Sequence, residues 1–163
     1  MAELTRWQIV DLLNRQVKLW LVGVDLSGLN LSRANLTGAD LEGANLTGVI
    51  LTRAVLDGAN LEGAILNKAV MGGASLVRAN LMGAKLIRVE MTGAKLEGAN
   101  FFRADLSDAN LTRTNLYNAN LRQSNLSTTN LTDANLRGAV MPDGKIGLSQ
   151  PSQRRHTQPR KSI

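Results

Sequence analysis

The chain has 163 residues, of which 44% are hydrophobic but only 3% aromatic; this excludes a disordered polymer and also a core built on Phe, Tyr and Trp. It has no cysteine, which excludes disulfides and thiolate metal sites and leaves the redox compartment open. The net charge of +6 is uneven: residues 1–23 carry +1, residues 24–143 balance, and residues 144–163 carry +5, so the body lacks the basic footprint of a nucleic-acid binder.

Residues 1–23 are predicted to form a capping α-helix. Thr5 and Gln8 have capping-box spacing, and Ile9, Leu13, Val17 and Trp20 fall on one face. Asp11 and Arg15 form an i,i+4 pair opposite, and Gly23 is a natural stop. Such a helix would cover the open end of a stacked fold, or offer its apolar face to a partner; the cap is the reading adopted. Asp11, Asn14, Arg15 and Lys18 interrupt the apolar run that a signal peptide needs. No apolar run approaches the roughly 18 residues of a membrane span, and a soluble, cytoplasmic protein is expected.

Residues 24–143 hold one unbroken repeat. Of the 24 residues numbered 5n+1 from Leu26 to Met141, 20 are Leu, three are Met and one is Phe101. Two residues earlier, 17 of 24 are Ala; one residue earlier, 12 are Asn and 3 are Asp; two residues after the Leu, 11 are Gly. Period five fits neither standard element. On a helix the leucines would spiral, and on a strand they would alternate faces. The chain must instead turn a corner in every unit, with Gly, Asn and Asp supplying the turns. Every Leu then points inward beside an Ala, because two large residues per side would overpack a narrow interior. Leu46, Leu66, Leu86 and Leu106, with Ala44, Ala64, Ala84 and Ala104, are the expected core.

The units Ala34-Asn35-Leu36, Ala44-Asn45-Leu46 and Ala109-Asn110-Leu111 match the A(D/N)LXX motif. The chain thus resembles the pentapeptide-repeat family, in particular its cyanobacterial type. The resemblance implies an all-β solenoid, a right-handed quadrilateral β-helix with four units per coil. The 24 repeats would then make about six coils, roughly 29 Å tall at the usual strand spacing. With four units per coil, Asp40, Asn60, Asn80, Asn100 and Asn120 would stack as a side-chain ladder.

Residues 144–163 are expected to be a basic, disordered tail, with Ile146 and Leu148 folding back over the last coil at most. Arg154, Arg155, Arg160 and Lys161 in it would suit nucleic acid or a membrane surface, although such runs are commonly only solvated. The weakly capped end invites a homodimer through stacking.

No chemistry emerges from the residues. His156 is the only histidine and lies in the tail, so a His-based triad or multi-His metal site is not available, and no phosphate-binding glycine motif occurs. No cofactor is expected. The pre-leucine position loses its Asn or Asp in the middle coils, at Ile50, Val55, Ile65, Val70, Ser75, Lys85, Glu90 and Lys95. Ile50 with Val70, and Met82 with Phe102, would be neighbours and could mark a binding surface with Lys85 and Arg88. Asp40, Glu42, Asp57 and Glu62 mark the early coils; Lys68, Arg78, Lys85, Arg88 and Lys95 follow. The expected function is a non-enzymatic scaffold for an unidentified protein partner. Some family members act on DNA gyrase as acidic DNA mimics, a role that the neutral body disfavours here.

Overall fold

The computed structural model describes residues 18–147. Parallel bridges join each pre-leucine residue to the one twenty positions on, from Trp20–Asp40 to Asn120–Val140. Twenty residues are four units, so the coil is four-sided, and six coils separate Trp20 from Val140. The solenoid therefore presents four outer faces. Face I carries Trp20, Asp40, Asn60, Asn80, Asn100, Asn120 and Val140. Face II carries Asp25, Asn45, Ile65, Lys85, Asp105 and Asn125, and face III carries Asn30, Ile50, Val70, Glu90, Asn110 and Asn130. Face IV carries Asn35, Val55, Ser75, Lys95, Asn115 and Asn135.

Each unit consists of an extended segment and a turn, and in a middle coil with Asn before Leu its five N–H groups find five acceptors. In the unit Ala59–Gly63, Ala59 N–H closes the preceding turn on Leu56 O (3.0 Å) and Asn60 N–H reaches back one coil to Ala39 O (2.9 Å). Leu61 N–H and Gly63 N–H reach forward to Asn80 O (2.7 Å) and Met82 O (2.9 Å). The remaining donor, Glu62 N–H, goes to the side-chain Oδ1 of Asn60 at 3.3 Å. This explains why Asn or Asp precedes Leu: the carboxamide takes the one amide that the coil leaves unpaired. Where Asn is missing, another side chain substitutes in two units. Asp57 Oδ1 accepts Val77 N–H at 3.0 Å, and Asn67 Oδ1 accepts Ile87 N–H at 3.0 Å, each from one coil below.

The third turn residue adopts a left-handed conformation in every unit from Gly23 to Gly138. Glycine fills this place in half of the units; the others use side chains such as Arg53 (φ 58°), Lys68 (φ 59°) and Thr128 (φ 57°). With the turn bond from the following amide to the Leu carbonyl, this is the pattern of a type II turn.

The interior is a column of leucines with alanines between them. Leu46, Leu66, Leu86 and Leu106 are fully buried, as are Ala44, Ala64 and Ala84, and Ala104 is nearly so. Phe101 takes a leucine place and is also fully buried. The larger Val24 and Leu29 occupy alanine places in the first coil, where they are partly buried. Thr114 and Ser124 sit in alanine places further along, and each hydroxyl donates to the carbonyl three residues back (2.7 Å), so burial leaves neither unpaired.

The structure extends the repeat at its start, and the fold at its end, beyond residues 24–143. Residues 18–23 were expected to end a helix, yet no helix occurs among the described residues. Trp20 bridges Asp40, Leu21 N–H donates to Asp40 O (2.7 Å), and Gly23 forms a corner at φ 64°. The physical reason is phase: Leu21 and Gly23 already stand in the five-residue frame, and inter-coil hydrogen bonds outweigh the helical spacing of Val17 and Trp20. The rest of the predicted helix lies outside the described residues. At the other end the chain turns after Met141 and comes back antiparallel, Ile146 bridging Val140. Gly147 N–H donates to Ala139 O (2.6 Å), and Gly138 N–H to Gly147 O (3.2 Å). Residues 144–147 therefore belong to the fold, while Leu148 and the tail's Arg154, Arg155, Arg160 and Lys161 lie outside the described residues.

Candidate interaction surface

Four side-chain columns grow directly from the repeat, and face I is the most regular. Asn60, Asn80, Asn100 and Asn120 each donate Nδ2–H to the Oδ1 one coil below, at 3.0, 3.2, 3.1 and 2.9 Å, starting on Asp40. The expected ladder exists, and only face I carries it over so many coils. On face II, Ile65 and Lys85 separate the Asn45–Asp25 and Asn125–Asp105 bonds. On face IV, Asn135 donates to Asn115. On face III, Asn110 donates to Glu90 Oε2 at 2.9 Å.

The six residues expected to form one surface fall on three sides of the solenoid. Ile50 and Val70 bridge each other on face III. Met82 and Phe102 stand one above the other at the corner between faces I and II, as the bonds from Gly63 N–H to Met82 O and from Gly83 N–H to Phe102 O show. Both are half-buried, and the Arg103 guanidinium lies over the Phe102 ring at 4.9 Å. Lys85 lies on face II between Ile65 and Asp105. Arg88, at the corner between faces II and III, pairs with Asp108 (3.5 Å). The sequence neighbourhood was therefore misleading: a four-sided coil sends residues five apart to adjacent sides and residues ten apart to opposite ones.

Charge also sorts differently from the axial order of the sequence. Asp40, Glu42 and Glu62 lie on face I or its corner with face II. Asp57 stands at the corner between faces IV and I, one coil beneath Val77, whose N–H it accepts. Arg33 and Arg53 stand at the corner between faces III and IV, and Lys68 and Arg88 at the corner between faces II and III. The separation is partial: Arg78 shares the corner between faces IV and I with Asp57, and Glu90 lies on face III. Ionisation follows local bonding. The Asp108 carboxyl is held below its ordinary value chiefly by the Thr128 hydroxyl, with Arg88 adding to the effect. The Asp25 carboxyl is lowered by the backbone N–H of Ser27 and then by its side chain. The pair Asp143–Lys145 shifts apart, Asp143 downward and Lys145 upward, each through its bond to the other.

Among the described residues no cluster of His, Cys, Asp or Glu could hold a metal ion, and no helix is long and apolar enough to cross a membrane. Sequence reasoning missed Tyr117, which is exposed above Glu97. It also buried Trp20 in a helix face, where the structure exposes it on face I with the Lys18 ammonium 4.4 Å from its ring. The five-residue frame extended back to Leu21 would have found Trp20.

A turned-in leucine column within a four-sided parallel coil defines a β-solenoid that exposes side chains in columns around a packed apolar interior. The model of pentapeptide repeats matches the chain in 8 copies, between residues 21 and 141. The chain belongs to the pentapeptide-repeat family, whose members form right-handed quadrilateral β-helices. Among solved structures it is similar to HetL, a pentapeptide-repeat protein involved in heterocyst differentiation regulation from the cyanobacterium Nostoc sp. strain PCC 7120. The identity is 35%, covering 80% of this chain and 73% of that one, with a TM-score of 0.33. Rfr23 from the cyanobacterium Cyanothece 51142 is 30% identical over 75% of this chain and 90% of that one, with a TM-score of 0.40. QnrB1, a plasmid-mediated fluoroquinolone resistance protein, is 18% identical over 77% of this chain and 80% of that one, with a TM-score of 0.52, a likeness of fold. No curated protein matches the chain.

Proposed function

We propose that the protein is a non-enzymatic, cytoplasmic interaction scaffold whose outer columns dock a protein partner. One observation carries this reading: the core accounts for the inward positions, and the outward departures from the repeat bring aliphatic and basic side chains to the surface between Ile50 and Phe102. A rigid solenoid suits docking, because its side chains are held in place before a partner arrives. The acidic residues on face I stop at Glu62, above which stand Met82, Phe102 and Arg122; that column gives no continuous acidic track of the kind a DNA mimic needs. Stacking of two chains end to end at the last coil is a further part of the proposal, and light scattering giving only monomer mass at micromolar concentration would remove it.

The test is site-specific photo-cross-linking in the native cell, with the reactive group placed in turn at positions 70, 85, 95, 100 and 102. A scaffold cross-links a protein partner from at least one of these sites. Cross-linking from none of them would overturn the reading. The double variant Met82→Asp, Phe102→Asp should keep the fold and lose whatever partner is captured at position 102; unchanged capture would retire the corner between faces I and II as a site.

A further inference from the structure

Building on the scaffold reading, we propose that face III is the docking surface, and that it takes an acidic protein segment seated on an aliphatic patch. The patch is centred on Ile50 and Val70, which are bridged on consecutive coils; Val70 is 40% exposed. Two further aliphatics extend it around the adjoining corners. Val55 follows Ile50 on face IV, and Ile65 precedes Val70 on face II, both half-buried. Four aliphatic side chains thus replace Asn or Asp on three adjoining faces of two coils. On these two coils face I keeps Asn60 and Asn80. Departure from the repeat is therefore directional.

The corners that separate these aliphatics are basic. Arg53 stands between Ile50 and Val55, and Lys68 between Ile65 and Val70. Arg33 lies beneath Arg53, and Arg88 above Lys68. All four are exposed and stand in left-handed corners, where glycine is the unstrained residue. Arg53 leans along the edge of the patch, its Cγ 3.5 Å from the point where a Gly73 Cβ would stand. Arg33, Arg53 and Lys68 form no salt bridge among the described residues. The single carboxylate on the face, Glu90, is engaged by Asn110. An aliphatic centre with cations along both edges is complementary to aliphatic side chains flanked by carboxylates. Nucleic acid fits less well: it offers phosphates to the edges but little aliphatic surface to Ile50 and Val70, and the patch has no aromatic platform for bases.

The substitution Ile50→Asn with Val70→Asn separates binding from stability. Asn is the commonest residue at this place, and its carboxamide would accept Thr52 N–H and Gly72 N–H as Asn60 does for Glu62. The double variant should therefore melt at the same temperature as the parent or higher. The probes are a short synthetic peptide alternating Glu and Leu, its Lys/Leu counterpart, and a single-stranded oligonucleotide, titrated into isotopically labelled full-length protein. The Glu/Leu peptide is expected to shift amide resonances on face III and its two corners, with affinity falling as salt rises. The double variant should weaken it about tenfold or more. Arg53→Gln with Lys68→Gln should weaken it too and reduce the salt dependence, which keeps the proposal testable if the asparagine variant fails to fold. Absence of binding, equal binding of the Lys/Leu peptide, shifts confined to face I, or parent-like affinity of both variants would overturn the proposal. Tighter binding of the oligonucleotide would overturn it as well and give the face to nucleic acid. In the cell, cross-linking from position 100 without position 70 would sink face III and leave the scaffold reading standing; silence at every position would sink both.

Discussion

Removing one amide from the middle of face I tests whether the ladder stabilises the stack or only decorates it. Asn80 makes four hydrogen bonds. Its Nδ2 donates to Asn60 Oδ1 and Glu62 Oε2, both at 3.2 Å, and its Oδ1 accepts Met82 N–H at 3.2 Å and Asn100 Nδ2–H at 3.1 Å. Net values of about 0.5–1.5 kcal/mol each would sum to several kcal/mol. The bonds are long and half-buried, so water recovers part of the loss and the low end applies. Asn80→Ala should cost about 2–3 kcal/mol. Asn130 is the control: it is exposed and among the described residues its Oδ1 accepts only from Thr132, through the N–H at 3.0 Å and the hydroxyl at 2.7 Å, so Asn130→Ala should cost about 1 kcal/mol or less. Urea unfolding followed by far-UV circular dichroism measures both, with the slope checked because stacked repeats can lose cooperativity. A cycle with Asn60→Ala should give a coupling of about 0.5 kcal/mol or more. Equal costs for Asn80 and Asn130, with no coupling to Asn60, would refute a stabilising ladder.

Core and surface should separate by a similar measurement. Leu86 is fully buried and Leu86→Ala should cost about 2–5 kcal/mol, whereas exposed Thr92→Ala should cost within about 0.5 kcal/mol. Equal costs would contradict the inward assignment of the leucines. Gly147→Ala should detach the returning segment, because the new Cβ would stand 2.5 Å from Leu136 O and 3.3 Å from Ala139 O. Hydrogen exchange should then accelerate at the amides of Gly138 and Gly147 and stay slow in the middle coils; unchanged protection at both would show that the segment can shift to accept the methyl group.

Direction was legible in the sequence wherever the frame was visible. An aliphatic residue every fifth position cannot face inward without a corner in each unit, and so Leu46 and Ala44 could be placed inside before any coordinates. The ladder on face I followed once four units per coil were assumed. The number four was not in the periodicity; it came from the resemblance, and the bridges from each residue to the one twenty on now carry it. Other things were illegible for identifiable reasons. Trp20 had two competing patterns, a helical spacing with Val17 and Leu13 and a solenoid frame with Leu21, and long-range hydrogen bonds decided between them. The fold-back of Ile146 over the last coil was expected from its apolar side chain, but its antiparallel pairing with Val140 was not, because no repeat encodes that backbone. Grouping Ile50 and Val70 with Met82 and Phe102 failed because nearness along the chain says little about which side of a square coil a residue occupies.

The same geometry makes the middle coils informative in a way that a globular surface would not be. Each outward place has a residue that suits the backbone best: Asn or Asp before Leu, because it takes the unpaired amide, and Gly in the corner, because the backbone is left-handed there. Ile50 and Val70 forgo that acceptor, and Arg53 and Lys68 accept a left-handed φ with a full side chain. These side chains point outward and add nothing to the core, where Leu51, Leu66 and Met71 are fully buried. Stability alone would restore Asn at 50 and 70 and Gly at 53 and 68, so a structural role for the present residues predicts that the restored protein is weaker. A docking role predicts the opposite: a protein that is as stable or more so, and unable to bind.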